Sequence, residues 1–201
     1  MNLLPLGITE NHTEDNRLVS LIVSGSTDAF AEFVNRYRDQ VIRVCRGYLG
    51  SVEDAEDVAQ DVFLEFYRSL HRFRGESQLS TWLFRIAITR SLNYIRDNRK
   101  RFRVYRSAES SGEDILLGSP VEEMADTKLI DEDHRMALHN AIDALPDNQK
   151  TAFILNKYQD LSYQEIAEVM ETTHSSVESL LFRAKQNLQK SLSDYFEKNL
   201  R

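Results

Sequence analysis

The sequence predicts an all-α fold of two small helical domains joined by an acidic linker. Three observations carry this expectation. Apolar residues recur at helical spacing in the first half of the chain and again in the last third. Only 7 Gly and 3 Pro occur in 201 residues, too few for a strand-and-turn architecture. A stretch rich in Ser, Gly, Pro and acid lies between the two helical blocks. A hydrophobic content of 41% suffices for one or two cores.

Residues 1–14 are polar and read as a flexible head. The first domain spans 15–106. Leu18, Leu21 and Ile22 repeat at i, i+3, i+4 and stop at Gly25. Asp28 can cap a second helix, in which Phe30, Phe33, Val34, Tyr37, Val41, Val44 and Tyr48 form an apolar stripe. Gly50 and Ser51 break it. A third helix runs from near Glu53 to about Leu70, and the loop Phe73 to Ser80 follows. A fourth long helix begins at Thr81 and ends in a basic run. Residues 107–128 are the linker, and 129–201 form the second domain. There Ala137, Leu138, Ala141, Ile142 and Leu145 mark a helix that stops at Pro146.

The net charge of −7 hides a strong asymmetry. Residues 1–106 carry 16 basic and 14 acidic residues, a net of +2. Residues 107–140 carry 2 basic and 9 acidic, a net of −7, and residues 141–201 carry 7 and 9, a net of −2. The acidic excess therefore does not exclude nucleic-acid binding, because local patches set the field that a phosphate feels. No apolar run is long enough to span a bilayer, and Met1 to Ile8 lacks the pattern of a signal peptide. The one cysteine, Cys45, lies among Val41, Ile42 and Val44. It reads as a buried thiol in a reducing cytoplasm, with a redox sensor as the weaker alternative.

Three constellations carry chemistry. In the first, Ser162 and Glu165 have capping-box spacing, followed by the apolar face of Ile166, Ala167 and Met170. A short turn leads to a second helix with Val177, Leu181, Ala184 and Leu188 facing inward. This describes a helix-turn-helix, whose second helix would present Ser175, Ser176, Glu178, Ser179, Phe182, Arg183 and Lys185 to a major groove. A plain helical hairpin is the bland reading. Glu178 faces phosphates poorly. It could accept from a cytosine amino group, or close a second capping box with Ser175; the latter is favoured.

The second constellation is a helix with Ala55, Val58, Ala59, Val62, Phe63 and Phe66 on its buried face. Asp54, Asp57, Asp61 and Glu65 line another side, with Gln60 beside them. A solvated acidic face, a carboxylate metal site and a docking face for a basic partner are the possible readings. The metal reading is weak, since no histidine stands at ligand spacing. The third constellation is the run Arg96 to Arg106, with six basic residues and one acid, preceded by Phe73, Trp82, Phe84, Arg85, Arg90 and Tyr94. Arg96, Arg99 and their neighbours suit phosphates, and aromatics among them suit unstacked bases. For Trp82 and Phe84 core packing is the better expectation.

In this order the pieces resemble the extracytoplasmic-function sigma factors of the sigma-70 family. D-A-E-D-V-A-Q-D-V-F from Asp54 is similar to the polymerase-binding helix of that family's second conserved region. F-R-G-E-S-Q-L-S-T-W-L-F-R-I-A from Phe73 is similar to its promoter-melting segment, and A-L-P-D-N-Q-K-T-A-F with the helix-turn-helix to its fourth region. The resemblance implies a sigma region 2 helical bundle and a sigma region 4 helix-turn-helix. It implies core RNA polymerase as the partner of Asp54, Asp57, Gln60 and Asp61. The −10 element of promoter DNA would fall to the loop holding Phe73, Gly75 and Ser77, and to Arg85, Thr89, Asn93, Arg96 and Arg99. The −35 element would fall to Ser179, Phe182 and Arg183 with their helix neighbours.

An anti-sigma factor as a further partner, no catalysis, no cofactor and no membrane insertion are also implied. Capturing a flipped base would offset an unstacking cost of roughly a few kcal/mol without ATP. Three positions depart from the family pattern: Thr89 for Asn, Glu178 for a basic residue, and Glu171 for a turn Gly. Glu at a positive φ costs about 1 kcal/mol relative to Gly. A stand-alone helix-turn-helix regulator is the main rival reading, and a metal-dependent nucleic-acid enzyme the other.

Overall fold

The computed structural model describes residues 6–73, 77–98 and 132–199. Every regular element among them is helical. The linker 107–128, Gly75 and Arg99 lie outside the described residues, as does the basic run beyond Asn98.

In the first half α1 is Leu6–Val23, α2 Thr27–Leu49, α3 Val52–Ser69 and α4 Leu79–Asp97, with a 3-10 turn at Leu70–Arg72. In the second half α5 is Glu132–Asp143, α6 Asp147–Gln159, α7 Tyr163–Val169 and α8 His174–Asn199. Helix α1 begins at Leu6, ahead of the expected start at Asp15. It ends where Gly25 takes φ 93. The cap of α2 is Ser26, whose hydroxyl accepts from the Ala29 N–H at 3.2 Å, and not Asp28. Asp28 instead sits in the first turn, where its charge suits the free N–H groups. Ser51 caps α3 through the Asp54 N–H at 3.2 Å.

The apolar stripes close as expected. Phe33, Val41 and Val44 of α2 pack on Val58, Val62 and Phe66 of α3 and on Leu83 and Ala87 of α4, all buried. Phe33 and Phe66 stack with centroids 4.1 Å apart. Cys45 is fully buried, and burial pushes its thiol up to about 12. Asp15 of α1 accepts from the buried Tyr37 hydroxyl at 2.7 Å, which pins α1 to α2.

The same core continues into the second half through Ile154, Leu155, Ile166 and Val169, so the halves pack directly on one another. Gly47 of α2 makes this close approach possible, since a β-carbon there would lie 2.9 Å from Ile154 Cγ2. Lys150 is buried at the same junction, paired with Asp143 at 2.6 Å and donating to the Tyr48 carbonyl at 3.2 Å. A smaller core joins α5 to α8 through Ile142, Leu145, Ala184 and Leu188. No helix among the described residues is long and apolar enough to cross a membrane.

Candidate functional site

The acidic side of α3 divides into parts with different roles. Asp57, Gln60 and Asp61 are exposed together. Asp57 and Asp61 stand at i, i+4, a like-charge pair that costs an isolated helix about 0.2–0.5 kcal/mol. Neither makes an ion pair with the described residues. Among the described residues no cation offsets these charges. Asp54 differs: it is 8% exposed and accepts from the Tyr94 hydroxyl at 2.7 Å. The sequence spacing placed it on the acidic line, but α4 covers it. Glu65 is paired with Arg90 of α4 at 2.7 Å.

Helix α4 carries the second surface. Arg85, Thr89, Asn93 and Arg96 recur at steps of four, four and three residues, which is one helix face. Thr89 and Arg96 are exposed and Asn93 is half-buried. Above this face Phe73 stacks on Trp82 with centroids 5.2 Å apart, and Trp82 in turn leans on Phe66 at 5.2 Å. The aromatic base of the loop is therefore fixed by the core, while Ser77 stays half-buried at its edge. Phe84 is core, as expected, and Trp82 is half-buried against it. A cleft of about 560 Å³ is lined by Trp82, Arg85, Thr89, Arg90, Asn93 and Glu171.

The helix-turn-helix is built from α7, a turn and α8. Its capping box is made in full: the Glu165 N–H reaches Ser162 Oγ at 3.3 Å, and the Ser162 N–H reaches the Glu165 carboxylate at 2.8 Å. Ala167 is buried at the crossing, and Val177 and Ala184 face inward. The turn residue Glu171 takes φ 51, the region that favours glycine. A second box at Ser175 is not made. Thr173 caps α8 instead, accepting from the Ser176 N–H at 3.2 Å, which leaves Ser175 and Glu178 exposed on the helix. Phe182, 62% exposed, and Arg183 lie on the same surface, with Ser176 and Ser179 half-buried beside them.

Sequence reasoning missed two contacts. One is the buried Lys150–Asp143 pair. The other is the seat of Arg85, which donates to the Val169 carbonyl at 3.1 Å and the Glu168 carbonyl at 2.6 Å, and meets the Glu171 carboxylate at 2.8 Å. Both depend on how the halves meet, which no local periodicity records.

A helix-turn-helix on the same chain as an acid-faced helical bundle is the class of protein that the fold defines. The comparisons give the class its name. Residues 33–101 match the sigma-70 region 2 family and residues 135–188 the sigma-70 region 4 family. The chain is 31% identical to the ECF RNA polymerase sigma-E factor of Haemophilus influenzae over 180 residues, 89% of this chain and 95% of that one.

Its fold is similar to that of CnrH, solved with the cytosolic domain of CnrY, with a TM-score of 0.62 and 20% identity over 90% of this chain and 97% of that one. It is also similar to the sigma factor RpoE of Bartonella quintana, solved with the anti-sigma factor NepR, with a TM-score of 0.55 and 21% identity over 82% and 96% of the two chains. The chain belongs to the extracytoplasmic-function sigma factors of the sigma-70 family. Such a factor is a non-enzymatic transcription initiation factor: it binds core RNA polymerase and directs it to promoter DNA.

Proposed function

We propose that Asp57, Gln60 and Asp61 form the surface that docks on a basic element of core RNA polymerase. The observation that carries this is the exposed pair of like charges on α3, which the fold leaves without a counterion among the described residues. Asp54 acts as a positioning residue beneath it, tied to Tyr94. The −10 strand falls to Phe73, Ser77, Arg85, Thr89, Asn93 and Arg96, with Gly75 and Arg99 adjoining in sequence. Trp82 gives Phe73 a rigid backing against which an unstacked base can stack.

The −35 element falls to α8, through Ser175, Ser176, Glu178, Ser179, Phe182 and Arg183. Phe182 suits a thymine methyl and Arg183 a guanine or a phosphate. Glu178, free of capping duty, suits a cytosine amino group. Residues 15–106 and 129–201 serve as the two functional units, with 107–128 as their tether. The factor has no catalysis of its own, acts in the cytoplasm, and is held inactive by an anti-sigma factor, as the Bartonella relative solved with NepR is an example of such pairing.

Charge reversal tests the docking surface. Asp57→Arg with Asp61→Arg is expected to abolish binding to core polymerase and to leave duplex DNA binding intact. Unchanged polymerase affinity in that variant would refute the assignment.

A further inference from the structure

In a helix-turn-helix the second helix enters the groove while the first crosses the phosphate backbone. Cations hold such a backbone. Here residues 163–178, which make up α7, the turn and the start of α8, contain the carboxylates Glu165, Glu168, Glu171 and Glu178 and no Lys or Arg. The first Lys or Arg of α8 is Arg183.

His174 is the side chain in this stretch that can turn positive. It is the first residue of α8 and is exposed. Its ring lies against that of Tyr163 in the first turn of α7, with centroids 5.6 Å apart and planes at 48°. The contact ties the start of the reading helix to the start of the helix that crosses the backbone. Glu178 and Phe182 follow His174 at i+4 and i+8, so His174 stands at the edge of the face assigned to the −35 element.

We propose that His174, seated against Tyr163, is a phosphate contact of the −35 duplex and takes up a proton as it binds. The proposal rests on the assignment of the α8 face to duplex DNA. An imidazole gains its proton near pH 6.5, and carboxylates and phenols titrate outside the range from about pH 5.5 to about pH 8. Of the four carboxylates, Glu165 is engaged with Ser162 and Glu171 with Arg85, and Glu168 lies in the last turn of α7. Glu178, one turn on, favours an imidazolium at His174, while the free N–H groups of the helix start oppose it. A phosphate at the ring supplies the anion that the helix start withholds. The bound state then holds more proton than the free chain, so affinity rises as pH falls through the histidine range. The contact reads charge and not base identity, so it acts on every duplex alike.

The test uses the full chain and two labelled duplexes. One carries the −35 element of a promoter that the polymerase complex transcribes, and the other has an unrelated sequence. Fluorescence anisotropy titrations are run at about pH 5.5 and about pH 8. The wild type is expected to bind both duplexes about threefold to tenfold more tightly at the lower pH, with the slope of log K against log salt steeper by about 0.9. His174 is exposed, so its substitutions leave the core intact. His174→Gln is expected to remove both differences, and His174→Lys to carry the steep slope to the higher pH. Tyr163→Phe keeps the ring and should keep the pH effect, and Tyr163→Ala should shrink it.

Wild-type affinity that does not change with pH overturns the proposal, as does a pH effect that survives in His174→Gln. An effect confined to the −35 duplex overturns the phosphate contact in favour of a base contact. A full effect in Tyr163→Ala overturns the seat. Arg183→Ala separates the two failures. If it leaves both duplexes bound as before, the α8 face lies away from DNA and the underlying assignment fails. If it weakens binding while pH has no effect, the role of His174 alone fails.

Discussion

The Tyr94 hydroxyl donates to Asp54 Oδ1 at 2.7 Å, so the helix that carries the strand face is tied to the first turn of the helix that carries the acidic face. Asp54 is 8% exposed, and a carboxylate so placed needs hydrogen bonds in place of water. Tyr94→Phe is expected to lower the unfolding free energy by about 1–3 kcal/mol. Urea unfolding would show a lower midpoint at unchanged slope. An unshifted midpoint would contradict this role for the pair.

The Lys150–Asp143 pair is a second fixed point, with side chains 6% and 5% exposed. Lys150→Met removes the ammonium and leaves the carboxylate buried, with His139 3.5 Å away as a cation only when protonated. The expected cost is about 3 kcal/mol, much of which a paired Asp143→Leu should restore. A single substitution that leaves stability unchanged would show the pair to be idle.

Cys45 is expected to resist iodoacetamide at neutral pH in the folded chain and to react once urea unfolds it. Burial raises its folded pKa from an ordinary 9.0 to about 12, so the folded thiol keeps its proton where the unfolded one ionises. The stability it contributes is full below about pH 9 and falls as pH climbs toward 12. Rapid alkylation of the native chain would contradict this burial and favour the sensor reading.

On α8, Glu178→Lys is expected to tighten binding to non-specific duplex, to lose any preference for cytosine beneath it, and to steepen the salt dependence of log K by about 1. Arg183→Ala should do the reverse. Electrophoretic shifts at several salt concentrations measure both. Glu178→Lys with weakened binding to non-specific duplex would place this surface away from DNA.

Much of this was legible because it is local. The Ser162–Glu165 box, the buried Cys45 and the apolar stripes of α2 and α3 each follow from residues within a few turns of one another, whereas the turn geometry at Glu171 was reached through the family resemblance. Caps were read less well, since Ser26 and Thr173 compete with Asp28 and Ser175 two positions away. Asp54 stood on the acidic line by spacing, and the approach of Tyr94 from a distant helix separates it from Asp57. The seat of Arg85 was invisible for the same reason: its partners lie 83 and 84 residues on, across the junction of the halves.

Run-off transcription with purified core polymerase over a promoter library tests the central assignment most directly. Wild-type chain should initiate from a defined subset of two-element promoters, and Asp57→Arg with Asp61→Arg should initiate from none while still folding. Specific initiation by the charge-reversed chain, or none from any promoter with the wild type, would contradict it.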